Sequence, residues 1–201
     1  MVRENIVTPA NFIQPLFIHD EDINQDIASM PGCQRHSLDS MLREVGEGMA
    51  LGVKTFVLFP KVADELKTNL GVEAYNPDGI VPRAIRMIKE AYPDAIVVTD
   101  VALDPYSDQG HDGAVEDGKI LNDVTINQLC KQVICQARAG ADIVAPSDMM
   151  VRSSSSLLLF SRIAKQLCTK FSLCYRQSSL FLNSKIVRLS LSSGWSRQGH
   201  S

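Results

Sequence analysis

The chain has 201 residues, 45% hydrophobic and 21% charged, with a formal net charge of −3. That length suits one domain, with or without an appendage, and the composition is that of a soluble globular protein. No stretch approaches 18 consecutive apolar residues, so no membrane span is expected, and no nucleic-acid partner is expected.

The first residues, "MVRENIVTPANF", contain neither an apolar signal core nor an Arg/Ser-rich, acid-poor transit segment, so no transit peptide is expected in this chain. "FIQPLFIHD" (12–20) reads as a strand with His19 and Asp20 at its end. In "SLDSMLREVGEGMALG" (37–52), Leu38, Met41, Leu42, Val45 and Met49 recur at spacings of three and four. That periodicity predicts a helix with one buried face, capped by Ser37 and stopped by Gly52. "VKTFVLFP" (53–60) is a second strand. "VPRAIRMIKEAY" (81–92) is a helix with Pro82 in its first turn. "AIVVTDV" (95–101) is a third strand, "TINQLCKQVICQARAG" (125–140) a helix ending at Gly140, and "ADIVAPSD" (141–148) a fourth strand.

After Met150 the rhythm stops. Residues 1–150 hold 12 Lys and Arg and all 23 Asp and Glu, a net of −11. Residues 151–201 hold 8 Lys and Arg and no acid, with 14 Ser and 9 Leu. Regions this unlike were not shaped by one set of folding demands. The expected division is an organised unit at 1–150 and a basic Ser/Leu-rich tail at 151–201, in which "SLLLFSRIAKQLC" could form a helix and "LFLNSKIVRLSL" a strand. The five cysteines, Cys33, Cys130, Cys135, Cys168 and Cys174, are scattered and contain no Cys-x-x-Cys. That argues against a disulfide framework or a structural zinc site. Cys130 and Cys135 read as core residues of a helix face.

Continuous apolar strands alternating with helices predict a parallel sheet covered by helices. Pattern alone does not separate an open doubly wound sheet from a barrel. No Gly-x-Gly-x-x-Gly or Walker loop follows any strand, which argues against a nucleotide site. Each strand ends in polar chemistry: His19-Asp20, Pro60-Lys61, Thr99-Asp100 and Ser147-Asp148. In parallel α/β folds, sites gather at those ends.

The third strand runs into the densest chemistry, "TDVALDPYSDQGHDGAVEDG" (99–118), with Asp100, Asp104, Asp108, His111, Asp112, Glu116 and Asp117. Such a stretch reads as a metal site, a proton-transfer site or a solvated loop. Asp100 inside the strand end either caps a loop or moves protons, and Ser147 either caps a loop or lines a pocket. His111 either orients a ligand carboxylate or is an exposed loop residue. Asp108 and Glu116 read as solvated, and His19 and His36 carry no specific signal.

Residues 12–150 resemble the porphobilinogen synthase (5-aminolevulinate dehydratase) family of the plant and algal type. The resemblance rests on "NFIQPLFIHD", "MPGCQRHSLDSMLREV", "GVKTFVLFPKV", "EAYNPDGIVPRAIRMIKEAYPD", "VVTDVALDPYSDQGHDG" and "QARAGADIVAPSDMM". It implies the first half, about four β/α units, of a (β/α)8 TIM barrel. The implied reaction joins two 5-aminolevulinate molecules into porphobilinogen in haem and chlorophyll synthesis, in an octamer within the chloroplast. It implies Asp100 beside the reacting substrates and Ser147 in the pocket. Animal-type members bind zinc through three cysteines, where this sequence has Ala102, Asp104 and Asp112. Hard oxygens in place of thiolates imply Mg²⁺ on Asp104 and Asp112.

The family's two Schiff-base lysines lie in "SYTAK"-like and "VKPG"-like motifs, and neither occurs here. "SRIAK" (161–165) echoes the first but follows "PSDMM" by only ten residues, fewer than the dozen or so that a parallel crossover needs. Lys165 is therefore read as coincidence. The expectations are an inactive partial enzyme or, alternatively, a non-catalytic half barrel that binds full-length subunits or itself. The outer strands of such a half barrel are expected to lack partners, and the tail is not expected to supply them.

Overall fold

The computed structural model describes residues 6–148, Met150 and the backbone of residues 172 and 173. In chain order the regular elements are β1 (Ile13–Ile18), β2 (Gln25–Asp26), β3 (Gln34–His36), α1 (Leu38–Ala50), β4 (Thr55–Pro60) and α2 (Ile80–Ala91). They continue with β5 (Ile96–Val101), β6 (Val115–Glu116), β7 (Lys119–Ile120), α3 (Asn122–Ala139), β8 (Ile143–Pro146) and β9 (Ser172–Leu173).

The four strands expected from the sequence are β1, β4, β5 and β8. They lie side by side in chain order, each parallel to the next. A doubly wound sheet reverses its strand order at a switch point, whereas a barrel does not. This order, with α1 against β1, α2 against β4 and α3 against β5 and β8, is that of consecutive units of a (β/α)8 barrel.

Register sorts the side chains into layers. Leu16, Leu58, Thr99 and Val144 form one row, buried against the helices. Pro15, Val57, Val98 and Ile143 form the next row on the opposite face, which would be the barrel interior. Of that second row only Val98 is buried. The apolar core therefore sits between sheet and helices, around Phe56, Met41, Ile85, Ile88, Leu129 and Val133.

Local chemistry sets the helix limits. Ser37 accepts a bond from the Ser40 backbone N–H at 3.3 Å and starts α1. Gly140, at φ +109°, ends α3 in the left-handed conformation that favours glycine. That helix starts at Asn122, three residues before the expected Thr125. The Thr125 hydroxyl is used inside the first turn, donating to Leu121 O at 2.7 Å and accepting from Ala114 N at 3.1 Å.

Two short hairpins, β2–β3 and β6–β7, were not foreseen. The β2–β3 pair follows β1, and β3 then extends the sheet beside β1 at Phe17↔Arg35 and Ile18↔His36. On the other side, Ser172–Leu173 pairs in parallel with Ile143 and Val144 of β8. Both outer strands therefore have partners over two residues each, contrary to the expectation that they have none. The "SLLLFSRIAKQLC" helix, the "LFLNSKIVRLSL" strand and Lys165 lie outside the described residues. No helix of the described residues is long and apolar enough to cross a membrane.

Candidate functional site

The carboxyl ends of β1, β4 and β5 open on one cavity of about 330 Å³. Asp100, Ala102, Asp104 and Tyr106 line it from the β5 side, and Phe17 and Phe59 form its apolar wall. Their rings stack at 5.6 Å between centroids.

Asp100 is the last inward-facing residue of β5, and Ala145 of β8 is its partner in register. Two residues past Ala145, the Ser147 hydroxyl donates to Asp100 Oδ1 at 2.7 Å. Burial is the main force raising the Asp100 pKa. The Ser147 bond and the Val101 amide oppose the rise, and the charges of Asp112 and Asp148 add to it. The two residues singled out in the sequence thus meet.

Asp104 opens a short 3-10 turn, Asp104–Tyr106, directly after β5. Its pKa is raised to about 6, by partial burial first and then by the charges of Asp112 and Asp100. Asp104 as a residue is exposed, so solvent screening tempers the rise, but partial burial and the neighbouring like charges push in the same direction. Asp100, Asp104 and Asp112 are therefore electrostatic neighbours.

The stretch is built rather than loose. Asn69 brackets Val115, accepting from its N–H and donating to its C=O, both at 2.8 Å. Thr68 N donates to Tyr106 O at 3.1 Å, and Tyr106 is buried. Asp117 (φ +49°) and Gly118 (φ +71°) turn the chain between β6 and β7, the Asp-Gly pattern of a two-residue hairpin. A Cβ on Gly113 would come within 2.7 Å of Thr125 Oγ1, so only glycine lets the stretch lie this close to α3.

Other candidates separate from this group. His111, Asp108 and Glu116 are exposed. Among the described residues, no group of three or more His, Cys, Asp or Glu is arranged to hold a metal ion. Cys33, Cys130 and Cys135 are free thiols. Cys130 belongs to the core, and burial pushes its thiol up to about 11.

The cavity also carries cations that the sequence reading did not assign: Arg35, Lys61 and Lys67. Lys61 was visible as the polar end of a strand, whereas Arg35 arrives only through the unforeseen β2–β3 hairpin. Lys67 is committed to Asp64 at 2.6 Å, and Lys61 donates to Gln25 at 3.3 Å.

Residues 1–156 match the family model "Delta-aminolevulinic acid dehydratase". Chloroplastic delta-aminolevulinic acid dehydratases of Physcomitrium patens and Pisum sativum are each 57% identical over 150 residues, 74% of this chain. The alignments cover 35% and 38% of those two proteins. A crystal structure of delta-aminolevulinic acid dehydratase (porphobilinogen synthase) from Toxoplasma gondii, in complex with the reaction product porphobilinogen, superimposes with a TM-score of 0.82 at 52% identity. That match covers 87% of this chain and 49% of the Toxoplasma chain. The chain thus spans well under half the length of the curated relatives it matches. Strand order, the polar strand ends and these matches agree: the chain belongs to the delta-aminolevulinic acid dehydratase family.

Proposed function

We propose that this chain carries the first half of a site that condenses two molecules of 5-aminolevulinate into porphobilinogen, with release of two waters. The observation that carries the reading is the Ser147 bond to Asp100, which lines the same cavity as Asp104. A carboxyl whose pKa is raised by burial can take a proton from a bound substrate and return it nearer neutral pH than an ordinary aspartate. Ser147 holds the carboxylate in one orientation. Phe17 and Phe59 give the site a dry wall, which strengthens such charge interactions.

Asp104 and Asp112 would hold Mg²⁺. The fit rests on two neighbouring hard carboxylates, whose like charges add to the burial that raises the Asp104 pKa, with Ala102 rather than a thiol in the same stretch. A cation there would relieve that crowding, and Mg²⁺ needs only one or two protein carboxylates because it keeps several waters. When bound, it would supply positive charge next to the reacting groups.

No lysine of the chain stands in either of the family's Schiff-base motifs. On this reading the chain alone makes no pyrrole, and the complete activity belongs to a protein carrying the second half of the barrel. The compartment would be the chloroplast, as in the names of its plant relatives, and the assembly a homo-oligomer. The family unit would end near Met150. The half-exposed interior face of the sheet favours one further reading, a non-catalytic half barrel that pairs with itself or with full-length subunits.

Two measurements test this. The chain given 5-aminolevulinate and Mg²⁺ should form no pyrrole, and borohydride trapping should leave its mass unchanged. A reduced adduct on Lys165, or on Lys61 or Lys67 in the cavity, would overturn the division of labour. In a complete family enzyme carrying residues 1–148, Asp100→Asn should lower kcat by about 100-fold or more, the range of a lost acid–base group. An unimpaired Asp100→Asn enzyme would remove Asp100 from the mechanism.

A further inference from the structure

The end of β5 is where the acidic groups leave the sheet, and its backbone is supported on one side only. β4 pairs with β5 from Ile96 to Thr99 and no further. On the other side, Asp142 N donates to Val97 O at 3.0 Å and Ser147 N to Val101 O at 3.3 Å. Carbonyls alternate in direction along a strand. The C=O groups of Asp100 and Ala102 therefore point toward β4, where the ladder has already stopped. A buried carbonyl left without a donor is costly.

Two glutamines of α3 supply the missing donors. Gln136 Nε2 donates to Asp100 O at 3.1 Å, and its Oε1 accepts from Thr99 Oγ1 at 2.8 Å. Gln132 Nε2 donates to Ala102 O at 3.2 Å. The four-residue spacing puts both amides on one face of α3. Gln132 is 0% exposed, Gln136 1% and Thr99 0%. Buried amides this close to a strand end hold it in one conformation, because no water can take over their bonds.

We infer that Gln132 and Gln136 are positioning residues. From α3 they lock the backbone at Asp100 and Ala102, and so fix the directions in which Asp100 and Asp104 project into the cavity. Neither side chain bonds the carboxylates of Asp100 or Asp104, although Gln132 also meets the side chain of Tyr106, which lines the cavity. The inference rests on the proposed role of those carboxylates but concerns their geometry alone.

The test uses the full chain with Gln132→Leu and Gln136→Leu, and with Leu129→Ala as a control. Leu129 is fully buried on the same helix and has no bond to β5. The first readout is the affinity for Mn²⁺, standing in for Mg²⁺, by paramagnetic resonance. The second is the carboxyl ¹³C shift of Asp100 at fixed pH, which needs no metal. Each glutamine variant should bind Mn²⁺ at least tenfold more weakly, and Gln136→Leu should move the Asp100 resonance. The control, which also loses buried packing, should stay within twofold and leave that resonance in place. If all three variants lose affinity in step with stability and the Asp100 resonance does not move, the glutamines are ordinary core residues and the inference fails. If the unmodified chain binds no Mn²⁺, the metal assignment fails instead. The Asp100 resonance then decides alone: movement only in Gln136→Leu upholds positioning, and no movement overturns it.

Discussion

The Ser147 hydroxyl donates to the Asp100 carboxylate across 2.7 Å, joining the ends of two neighbouring parallel strands. The bond favours the ionised carboxylate and works against the burial that raises its pKa. Ser147→Ala should therefore raise the Asp100 pKa further. Titration of the Asp100 carboxyl by ¹³C NMR checks this, and an unchanged or lower midpoint would show that the bond is not made in solution.

Asp104 gives a pH dependence of definite sign. Its pKa is about 6 in the folded chain, against about 3.9 in an unfolded one. The folded state thus holds this proton to higher pH, and folding loses stability as pH rises through that window. Asp104→Asn should raise the midpoint of thermal unfolding at pH 7.5 and leave it almost unchanged at pH 3. The effect should shrink when Mg²⁺ is added, since a cation removes the same crowding. A variant equally stabilised at both pH values would contradict the crowding of Asp104 by Asp100 and Asp112.

In a complete enzyme with this first half, activity should follow Mg²⁺ and survive a zinc-selective chelator. Replacing Ala102, Asp104 and Asp112 together by cysteine should move the preference toward zinc, because thiolates are the softer donors. Equal response to both metals before and after the triple change would sink the assignment of Asp104 and Asp112 as ligands.

The interior row Pro15, Val57, Val98 and Ile143, with Phe17 and Phe59 above it, is apolar and only partly covered. Faces of this kind drive association. The chain should elute from gel filtration above its 22.1 kDa mass, and Phe59→Lys should shift it toward the monomer. Monomeric elution of the unmodified chain at micromolar concentration would mean that the face is covered from within.

Most of the barrel strands and helices were legible because their signals are local. Leu38, Met41, Leu42 and Val45 repeat at helical spacing, and each strand is a short apolar run closed by a polar residue. Barrel and open sheet were not separable, since the difference lies in which strand pairs with which. The β2–β3 hairpin was missed because "QD" and "QRH" carry no apolar alternation, and Arg35 went with it. The β6–β7 hairpin did have a signal, Asp117-Gly118, which the density of acids around it obscured. Asp100, Ser147, Asp104 and Asp112 were readable as candidates from the family resemblance. Gln132 and Gln136 were not, because a glutamine on a helix looks solvated until a strand end is known to need its amide.

Along β5, Val97, Thr99 and Val101 belong to the helix layer while Val98 and Asp100 belong to the interior. Folding and chemistry are thus written on alternate letters of one six-residue word. Losing a single letter ahead of Thr99 would exchange the two scripts. The Asp100 carboxylate would be pressed into the apolar layer between sheet and helices, and the Thr99 hydroxyl would face the cavity in its place. Point substitutions can explore the interior letters while leaving the helix layer intact, but this strand tolerates no change of length.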